Sequence, residues 1–208
     1  MNIHRRMILG TGAGLGLLGL AGGAMTLRAR ADDLTVDDVL HDPDAPALGN
    51  AEGDVTIVEY FDYQCPFCKK NHPVLTDVIA QDGNVRLVMK DWPIFGAPSV
   101  YASQLVLGTV EKGDYHMANS ALMATEAKLS NDQIDRVLGE AGIDVAAAQA
   151  AYRADRARWD GLLARNAAQA GQLGLRGTPA FIIGRTIYPG MLDAATLRGA
   201  ISEARKDS

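Results

Sequence analysis

The sequence VTIVEYFDYQCPFCKK, residues 55–70, indicates the fold and contains the only two cysteines of the chain, Cys65 and Cys68. Its first half, Val55–Phe61, is an apolar run with the length of a buried β-strand. Its second half predicts a helix over 66–81, because proline suits the first helical turn and apolar residues recur at helical spacing. A disulfide between cysteines this close removes little chain entropy, so the pair is expected to perform chemistry rather than to brace the fold.

Cys65 is predicted to be an exposed thiol with a lowered pKa, because it lies where the strand ends and the helix begins. The unpaired N–H groups and partial positive charge of a helix N-terminus stabilise an anion, and the thiolate is the reactive form of cysteine. Cys68 lies one turn further along the helix. The spacing predicts a cycle in which a partner sulfur joins Cys65 and Cys68 then resolves the mixed disulfide.

Glu59 is an acidic residue inside the apolar strand. A carboxyl group buried beside the dithiol would have a raised pKa and could move a proton to or from Cys68. The alternative is a solvated acid at the edge of the sheet, and we favour the buried, functional interpretation. Lys90, on the next predicted strand, is expected at the surface. Lys69 and Lys70 could add positive potential near the first cysteine, but a solvated helix face is the simpler expectation.

A metal site is an alternative interpretation of the cysteine pair. The spacing of Cys65, Cys68 and His72 could supply three ligands, with His116 as a fourth. Structural zinc sites usually contain a second close pair of ligands, and this chain has none. We therefore expect neither a metal nor another cofactor, and we expect His72, His116 and His41 to be solvated.

The first 31 residues are predicted to be an export signal. Arg5 and Arg6 precede an uncharged, apolar and glycine-rich stretch, Met7–Leu27, and the small residues around Ala31 suit a signal peptidase. The paired arginines are also typical of the twin-arginine route. The alternative is a retained membrane anchor, because the stretch is long enough to span a bilayer. We expect cleavage near Ala31 and a mature chain in the periplasm.

The mature chain is predicted to be acidic. Removing residues 1–31 takes away four arginines and no acidic residue, so the formal net charge falls from −5 to −9. A negative surface of this kind argues against nucleic acid and against an anionic membrane as partners. The remaining length corresponds to one domain with its own core.

The order of predicted elements is β-α-β, a helical block, then β-β-α, which indicates an α/β fold. The helical block is too long for a loop, so it is expected to be an inserted subdomain. One alanine-rich helix is predicted from its cap residue Asp144 to about Ala170. Four segments follow: a polar N-terminal extension over 32–50, a first sheet-forming half over 51–96, the all-helical insertion over 97–170, and a second sheet-forming half over 171–208.

Thr178 and Pro179 open an apolar strand, Thr178–Ile183, in the second half. Proline has no N–H group to donate to a sheet, so a proline that opens a strand is unusual. A cis peptide bond there would place a kinked backbone edge beside a ligand. The residues alone favour the ordinary trans bond.

Together these residues resemble the thioredoxin superfamily, and within it the exported DsbA-like thiol-disulfide oxidoreductases. The resemblance rests on VEYFDYQCPFC near the start of the mature chain and on GLRGTPAFIIG near its end, with a helical block between. It implies a thioredoxin fold interrupted by helices. It also implies that Cys65 is the nucleophile, Cys68 the resolving thiol, Glu59 the buried acid and Pro179 a cis-proline. The last implication replaces the expectation of a trans bond.

Two positions depart from the best-known DsbA. Pro66 and Phe67 form the dipeptide between the cysteines, whereas that protein has a histidine there that helps the thiolate. Phe67 offers neither charge nor a hydrogen bond, which favours a weaker oxidant. Thr178, before the proline, is more similar to the corresponding residue of the disulfide isomerases.

The predicted function is the oxidation of cysteine pairs in exported proteins, with a membrane redox partner that resets the dithiol. Substrate chains are expected to lie extended beside Thr178 and Pro179, with Phe67 nearby. One alternative is a disulfide reductase or isomerase that uses the same dithiol. The other is a periplasmic metal-binding protein without turnover.

Overall fold

The computed structural model describes residues 34–206, so the predicted export signal over 1–31 lies outside the described part of the chain. Within residues 34–206, none of the helices combines the length and apolar composition that a bilayer-spanning segment needs. The elements, in chain order, are α1 (Val36–Leu40), β1 (Ala47–Gly49), β2 (Val55–Phe61), α2 (Pro66–Asp82), β3 (Val85–Asp91), α3 (Ala97–Leu107), α4 (Tyr115–Met123), α5 (Asn131–Glu140), α6 (Val145–Ala154), α7 (Arg156–Gln172), β4 (Ala180–Ile183), β5 (Thr186–Pro189) and α8 (Ala194–Lys206).

The five strands form one mixed sheet in the order β1-β3-β2-β4-β5. Strands β2 and β3 are parallel and are joined by α2, with Glu59 opposite Met89. The other neighbouring pairs are antiparallel. Helices α3 to α7 lie between β3 and β4 in the sequence, and α8 follows β5. This confirms the predicted order of β-α-β, a helical insertion, and β-β-α.

The central strand β2 is apolar because helices cover both faces of the sheet. Ile57 and Phe61 point to the face that packs against α2, α8 and the helical insertion. Val58 and Tyr60 point to the opposite face, which packs against α1 and α7. Because side chains alternate along a strand, Glu59 shares the α2 face with Ile57 and Phe61. The fold therefore directs the strand acid toward the helix that carries the cysteines.

The N-terminal extension contributes a strand that the sequence did not predict. Its short helix α1 is capped by Thr35. It continues into β1, which pairs antiparallel with β3 and places Leu48 opposite Leu87. A three-residue strand is too short to show a periodic pattern of apolar residues, which is why it was missed.

The helix predicted from Asp144 to about Ala170 is in fact two helices, α6 and α7. They are separated by Asp155, whose backbone lies outside the helical region at φ −119° and ψ 35°. The break allows Tyr152 of α6 and Trp159 of α7 both to be buried in the core. Alanine-rich composition favours helix throughout this segment, but tertiary packing decides where one helix ends and the next begins.

Candidate active site

The loop between β2 and α2 positions the two cysteines. Cys65 is the N-cap residue of α2, with an extended backbone, and Pro66 occupies the first helical turn. The turn before Cys65 is held by its own hydrogen bonds. The N–H of Cys65 donates to the carbonyl of Asp62 at 3.0 Å. The carboxylate of Asp62 accepts from the N–H of Gln64 at 2.7 Å. The first sulfur is therefore held at the helix N-terminus, where an anion is stabilised.

Cys65 is buried, which corrects the prediction of an exposed thiol. Both cysteines are reduced, and each has 0% of its surface exposed. The sulfur of Cys65 donates to the carbonyl of Thr178 at 3.2 Å, so the residue before Pro179 lies against it. The sequence could not show that Thr178 buries Cys65, because the two residues are far apart in the chain. Polar contacts still distinguish this sulfur from that of an ordinary core cysteine.

The two sulfurs differ strongly in acidity. The pKa of Cys65 is lowered from 9.0 to about 6, chiefly because the Cys68 thiol donates a hydrogen bond to it. Burial opposes this effect, whereas the Thr178 side chain and the backbone N–H groups of Cys68 and Phe67 add to it. The pKa of Cys68 is raised well above its usual range by burial, and then by Cys65 and Glu59. At neutral pH the pair consists of one thiolate and one thiol.

The Thr178 hydroxyl has a role that depends on the charge of Cys65. It is buried and has no hydrogen-bond partner within residues 34–206 while the thiol is protonated and donates to the Thr178 carbonyl. Once the thiol ionises, it can no longer donate to that carbonyl, and the hydroxyl becomes a donor to the thiolate. Thr178 therefore offers an acceptor to the thiol and a donor to the anion.

Glu59 is buried beside this pair, as predicted, with 1% of its surface exposed. Neither carboxylate oxygen has a hydrogen-bond partner in the described part of the chain. Burial raises its pKa from 4.5 to about 8, and the negative charge of Cys65 adds to the rise. Its charge in turn raises the pKa of Cys68. A carboxyl group that is neutral at pH 7 and coupled to a thiol can give a proton to that sulfur or take one from it.

Lys90 is buried, not exposed as predicted. It has 0% of its surface exposed, and its Nζ lies 3.5 Å from a carboxylate oxygen of Asp42. The side chain points away from Glu59, because Lys90 faces the opposite side of the sheet from Met89, which pairs with Glu59. Asp42 is the counter-ion of Lys90 and precedes β1. It lies in the predicted N-terminal extension, so the sequence near Lys90 contained no sign of it. Lys90 supports the fold behind the site and does not contact the dithiol.

Thr178 and Pro179 are joined by a cis peptide bond, which confirms the geometry implied by the resemblance. They immediately precede β4, which pairs with β2 and places Phe181 opposite Glu59. Phe67 lies in the first turn of α2 with 60% of its surface exposed. The fold thus brings Thr178 against Cys65 and leaves an exposed aromatic ring next to the buried sulfur.

Asp62 is a site residue that the sequence reasoning missed. It is buried, and one carboxylate oxygen accepts from the N–H groups of Ile94 at 2.7 Å and Phe95 at 3.0 Å. Its other oxygen binds the N–H of Gln64, so a single side chain joins the cysteine turn to the loop after β3. The available signal was an acidic residue directly after a buried strand and before the cysteines.

His72 is buried, which corrects the expectation that it is solvated. Its pKa is lowered to about 4, chiefly by burial and to a smaller extent by nearby His116. Helix α2 packs against α4, which carries His116, so this face of α2 is not open to solvent. Within residues 34–206, no cluster of three or more histidine, cysteine or acidic side chains is arranged to hold a metal ion.

Comparisons with known proteins agree with this geometry. Residues 56–202 match the family model described as a DSBA-like thioredoxin domain. The chain is similar to a thioredoxin-like oxidoreductase from Silicibacter pomeroyi, with 35% sequence identity and a TM-score of 0.80 over 84% of this chain and 100% of that one. These matches confirm the predicted thioredoxin-like fold.

Two further solved structures are similar to this chain. One is the thiol-disulfide exchange protein alpha-DsbA2 from Wolbachia pipientis, at 25% identity and a TM-score of 0.75, covering 80% of this chain and 90% of that one. The other is a periplasmic thioredoxin-like protein from Salmonella enterica serovar Typhimurium, at 25% identity and a TM-score of 0.70, covering 82% of this chain and 95% of that one.

The curated relatives are much longer proteins. The chain is 25% identical over 166 residues to Na(+)/H(+) antiporter NhaA 3 of Salinispora tropica. That match covers 78% of this chain and 25% of the antiporter. The chain therefore spans about a quarter of the length of the curated relatives it matches.

Proposed function

The chain belongs to the DSBA-like thioredoxin domain family of thiol-disulfide oxidoreductases, and we propose that it forms disulfide bonds in exported proteins. The observation that carries this proposal is the difference in acidity between Cys65 and Cys68. A reduced enzyme whose nucleophile is already a thiolate is stabilised relative to its disulfide form, and that makes the disulfide form an oxidant.

The size of this effect follows from the pKa of Cys65, which is lowered from 9.0 to about 6. At neutral pH the thiolate stabilises the reduced enzyme by about 1.4 kcal/mol relative to an ordinary thiol. For a two-electron couple this corresponds to about 30 mV toward the oxidising side. A hydrogen-bonded thiolate thus favours an oxidase, and its effect on the reduction potential is small.

The reaction proceeds through two exchanges. In the first, a substrate thiolate attacks the sulfur of Cys65 in the enzyme disulfide, and the Cys65–Cys68 bond breaks. Cys68 leaves and takes the proton of the neutral Glu59 carboxyl, since its high pKa favours the thiol. In the second, another substrate thiolate attacks the substrate sulfur of the mixed disulfide, and Cys65 leaves as a stable thiolate. Two electrons pass from the substrate dithiol to the enzyme.

The substrate is placed by the elements around the sulfur. The backbone of Thr178, just before β4, lies against Cys65 and offers an edge beside which an extended chain can pair. Phe67, two residues after Cys65 in the first turn of α2, offers an exposed ring. We infer a substrate that presents its cysteine in an unfolded, extended segment.

The location and the partners are part of the same proposal. Arg5, Arg6 and the apolar stretch after them suit an export signal cleaved near Ala31, and one of the similar structures is that of a periplasmic protein. Substrates are then exported proteins with cysteine pairs. The reduced dithiol passes its two electrons to a membrane redox partner, which restores the disulfide.

The experiment is to trap substrates on Cys68→Ser in the exporting cell. This variant cannot form the enzyme disulfide, but its Cys65 thiolate can still attack a disulfide of a partner protein and form the mixed disulfide in the reverse direction. Because Cys68 is no longer there to attack that bond, partner proteins should remain attached to Cys65. Cys65→Ser is the matched control and should trap nothing. The reduction potential of the wild-type dithiol shows whether the enzyme oxidises or reduces its substrates. We expect it to be more oxidising than the potential of thioredoxin, which is about −270 mV. A potential near that of thioredoxin would assign the reductase function instead.

A further inference from the structure

Two side chains that flank the cysteine pair both reach the same segment of the helical insertion. Gln64 directly precedes Cys65, and Lys69 directly follows Cys68. Their partners lie in residues 125–129, which connect α4 to α5. No part of the reaction described above uses this pair of contacts.

Gln64 pairs with the backbone of Leu129 in both directions. Its Nε2 donates to the carbonyl of Leu129 at 3.1 Å, and the N–H of Leu129 donates to its Oε1 at 2.8 Å. Both residues are buried. A reciprocal pair of buried hydrogen bonds fixes the position of one backbone relative to the other and costs free energy when either partner is lost.

Lys69 binds the other end of the segment. Its Nζ donates to the hydroxyl of Thr125 at 2.8 Å and to the carbonyl of Ala127 at 2.6 Å. Only 7% of the residue is exposed, which corrects the expectation of a solvated helix face. Its backbone N–H donates to the carbonyl of Cys65 at 3.2 Å, so the two residues are one helical turn apart on the same face of α2.

We propose that Gln64 and Lys69 are positioning residues that clamp residues 125–129 against the dithiol, and that the ammonium group of Lys69 also stabilises the Cys65 thiolate. A neighbouring exposed lysine does not share these contacts, since Lys70 lies on the solvent side of α2. The chain lacks a histidine between the cysteines, and Lys69 supplies a fixed positive charge from one turn further along. This proposal rests on Cys65 being the attacking thiolate.

The charged and titratable groups around Cys65 come from three elements. Glu59 reaches it from β2 and is neutral at pH 7, since its pKa is raised to about 8. Lys69 reaches it from α2, where burial lowers the pKa of the ammonium group and the nearby charges of Asp62, from the loop, and of Cys65 partly offset that effect. Cys68 donates a hydrogen bond to the thiolate. Among these groups Lys69 carries the positive charge.

The test compares Lys69→Met, Lys69→Arg and Lys70→Met in the reduced full-length protein. Methionine keeps the length of the stem and removes the charge and both hydrogen bonds, whereas arginine restores a cation with donors. For Lys69→Met we expect the acid dissociation constant of Cys65 to fall about threefold to tenfold, measured from the ultraviolet absorbance of the thiolate against pH. Lys69→Arg should lie closer to wild type, and Lys70→Met should equal it.

Hydrogen exchange of the 125–129 amides measures the clamp separately from the charge. Lys69→Met should exchange there at least about threefold faster than Lys70→Met. Thr125→Val keeps the lysine charge and loses two hydrogen bonds, the one from Lys69 and the one to the carbonyl of Leu122 at 2.7 Å, so it should loosen the segment and leave the Cys65 titration unchanged. An unchanged Cys65 titration in Lys69→Met would overturn the role of the charge, and unchanged exchange would overturn the clamp. Neither readout depends on whether the enzyme oxidises or reduces its substrates.

Discussion

Replacing Glu59 by glutamine should change how the stability of the reduced protein depends on pH. The native state raises the pKa of Glu59 from 4.5 to about 8, so the folded protein keeps a proton that the unfolded chain releases. Stability falls with rising pH wherever the native state binds more protons than the unfolded state. The native protein therefore loses stability between about pH 4.5 and pH 8 through this residue, and a neutral glutamine abolishes that loss.

The magnitude follows from the same two pKa values. Each unit of difference between the folded and unfolded pKa is worth about 1.4 kcal/mol. Between about pH 5 and about pH 7.5 the wild type should lose about 3 kcal/mol relative to Glu59→Gln. Cys65, whose pKa is lowered to about 6, and Asp91, whose pKa burial raises to about 7, also titrate in this range. They are common to both proteins, so their contributions largely cancel in the comparison.

The assay is urea unfolding of the reduced wild type and of Glu59→Gln at the two pH values. Glu52→Gln is the matched control, because Glu52 is exposed and the same change in charge should have little effect there. A difference between wild type and Glu59→Gln that is the same at both pH values would contradict a raised pKa of Glu59 in the folded protein. It would mean that the carboxyl group ionises as it does in water, so that it could not hold a proton for Cys68 at neutral pH.

Three further results are expected. Glu59→Gln should slow the exchange step that protonates Cys68 by about tenfold to a hundredfold, because a general acid is lost, and rapid-mixing kinetics with a dithiol peptide would show this. Thr178→Val removes the hydroxyl donor but keeps the backbone carbonyl, so the acid dissociation constant of Cys65 should fall about threefold to tenfold in a pH titration. Phe67→His adds a cationic donor at an exposed position and should make the reduction potential about 30 mV more oxidising, as measured against a glutathione buffer. An unaltered exchange rate, Cys65 titration or potential would contradict the respective assignment.

The fold could be predicted from the sequence because its central elements carry strong local signals. Val55–Phe61 is a mostly apolar run that contains Thr56 and Glu59, and it forms β2 at those residues. Ser130 and Gln133 form the capping box that opens α5. The strand β1 and the break at Asp155 could not be predicted, because pairing with β3 and packing of the insertion decide them.

Only the part of the site that lies in the cysteine motif and in the strand before it could be predicted from the sequence. The spacing of Cys65 and Cys68 and the position of Glu59 indicated a dithiol with a buried acid. Burial was the property that sequence reasoning misjudged, at Cys65, His72 and Lys90 alike. In each case the side chain is buried by a segment that is distant in the chain: the residue before Pro179, helix α4, or the segment around Asp42. Long-range cover of this kind leaves no local pattern.

The acidity of Cys65 in the reduced protein decides whether this sulfur is the attacking thiolate. The measurement is the ultraviolet absorbance of the thiolate against pH, with Cys65→Ser as the reference that removes this sulfur alone. We expect a single transition near pH 6 that disappears in Cys65→Ser, while Cys68 remains protonated throughout. A first transition at about pH 8.5 or above, as for an ordinary cysteine, would contradict it.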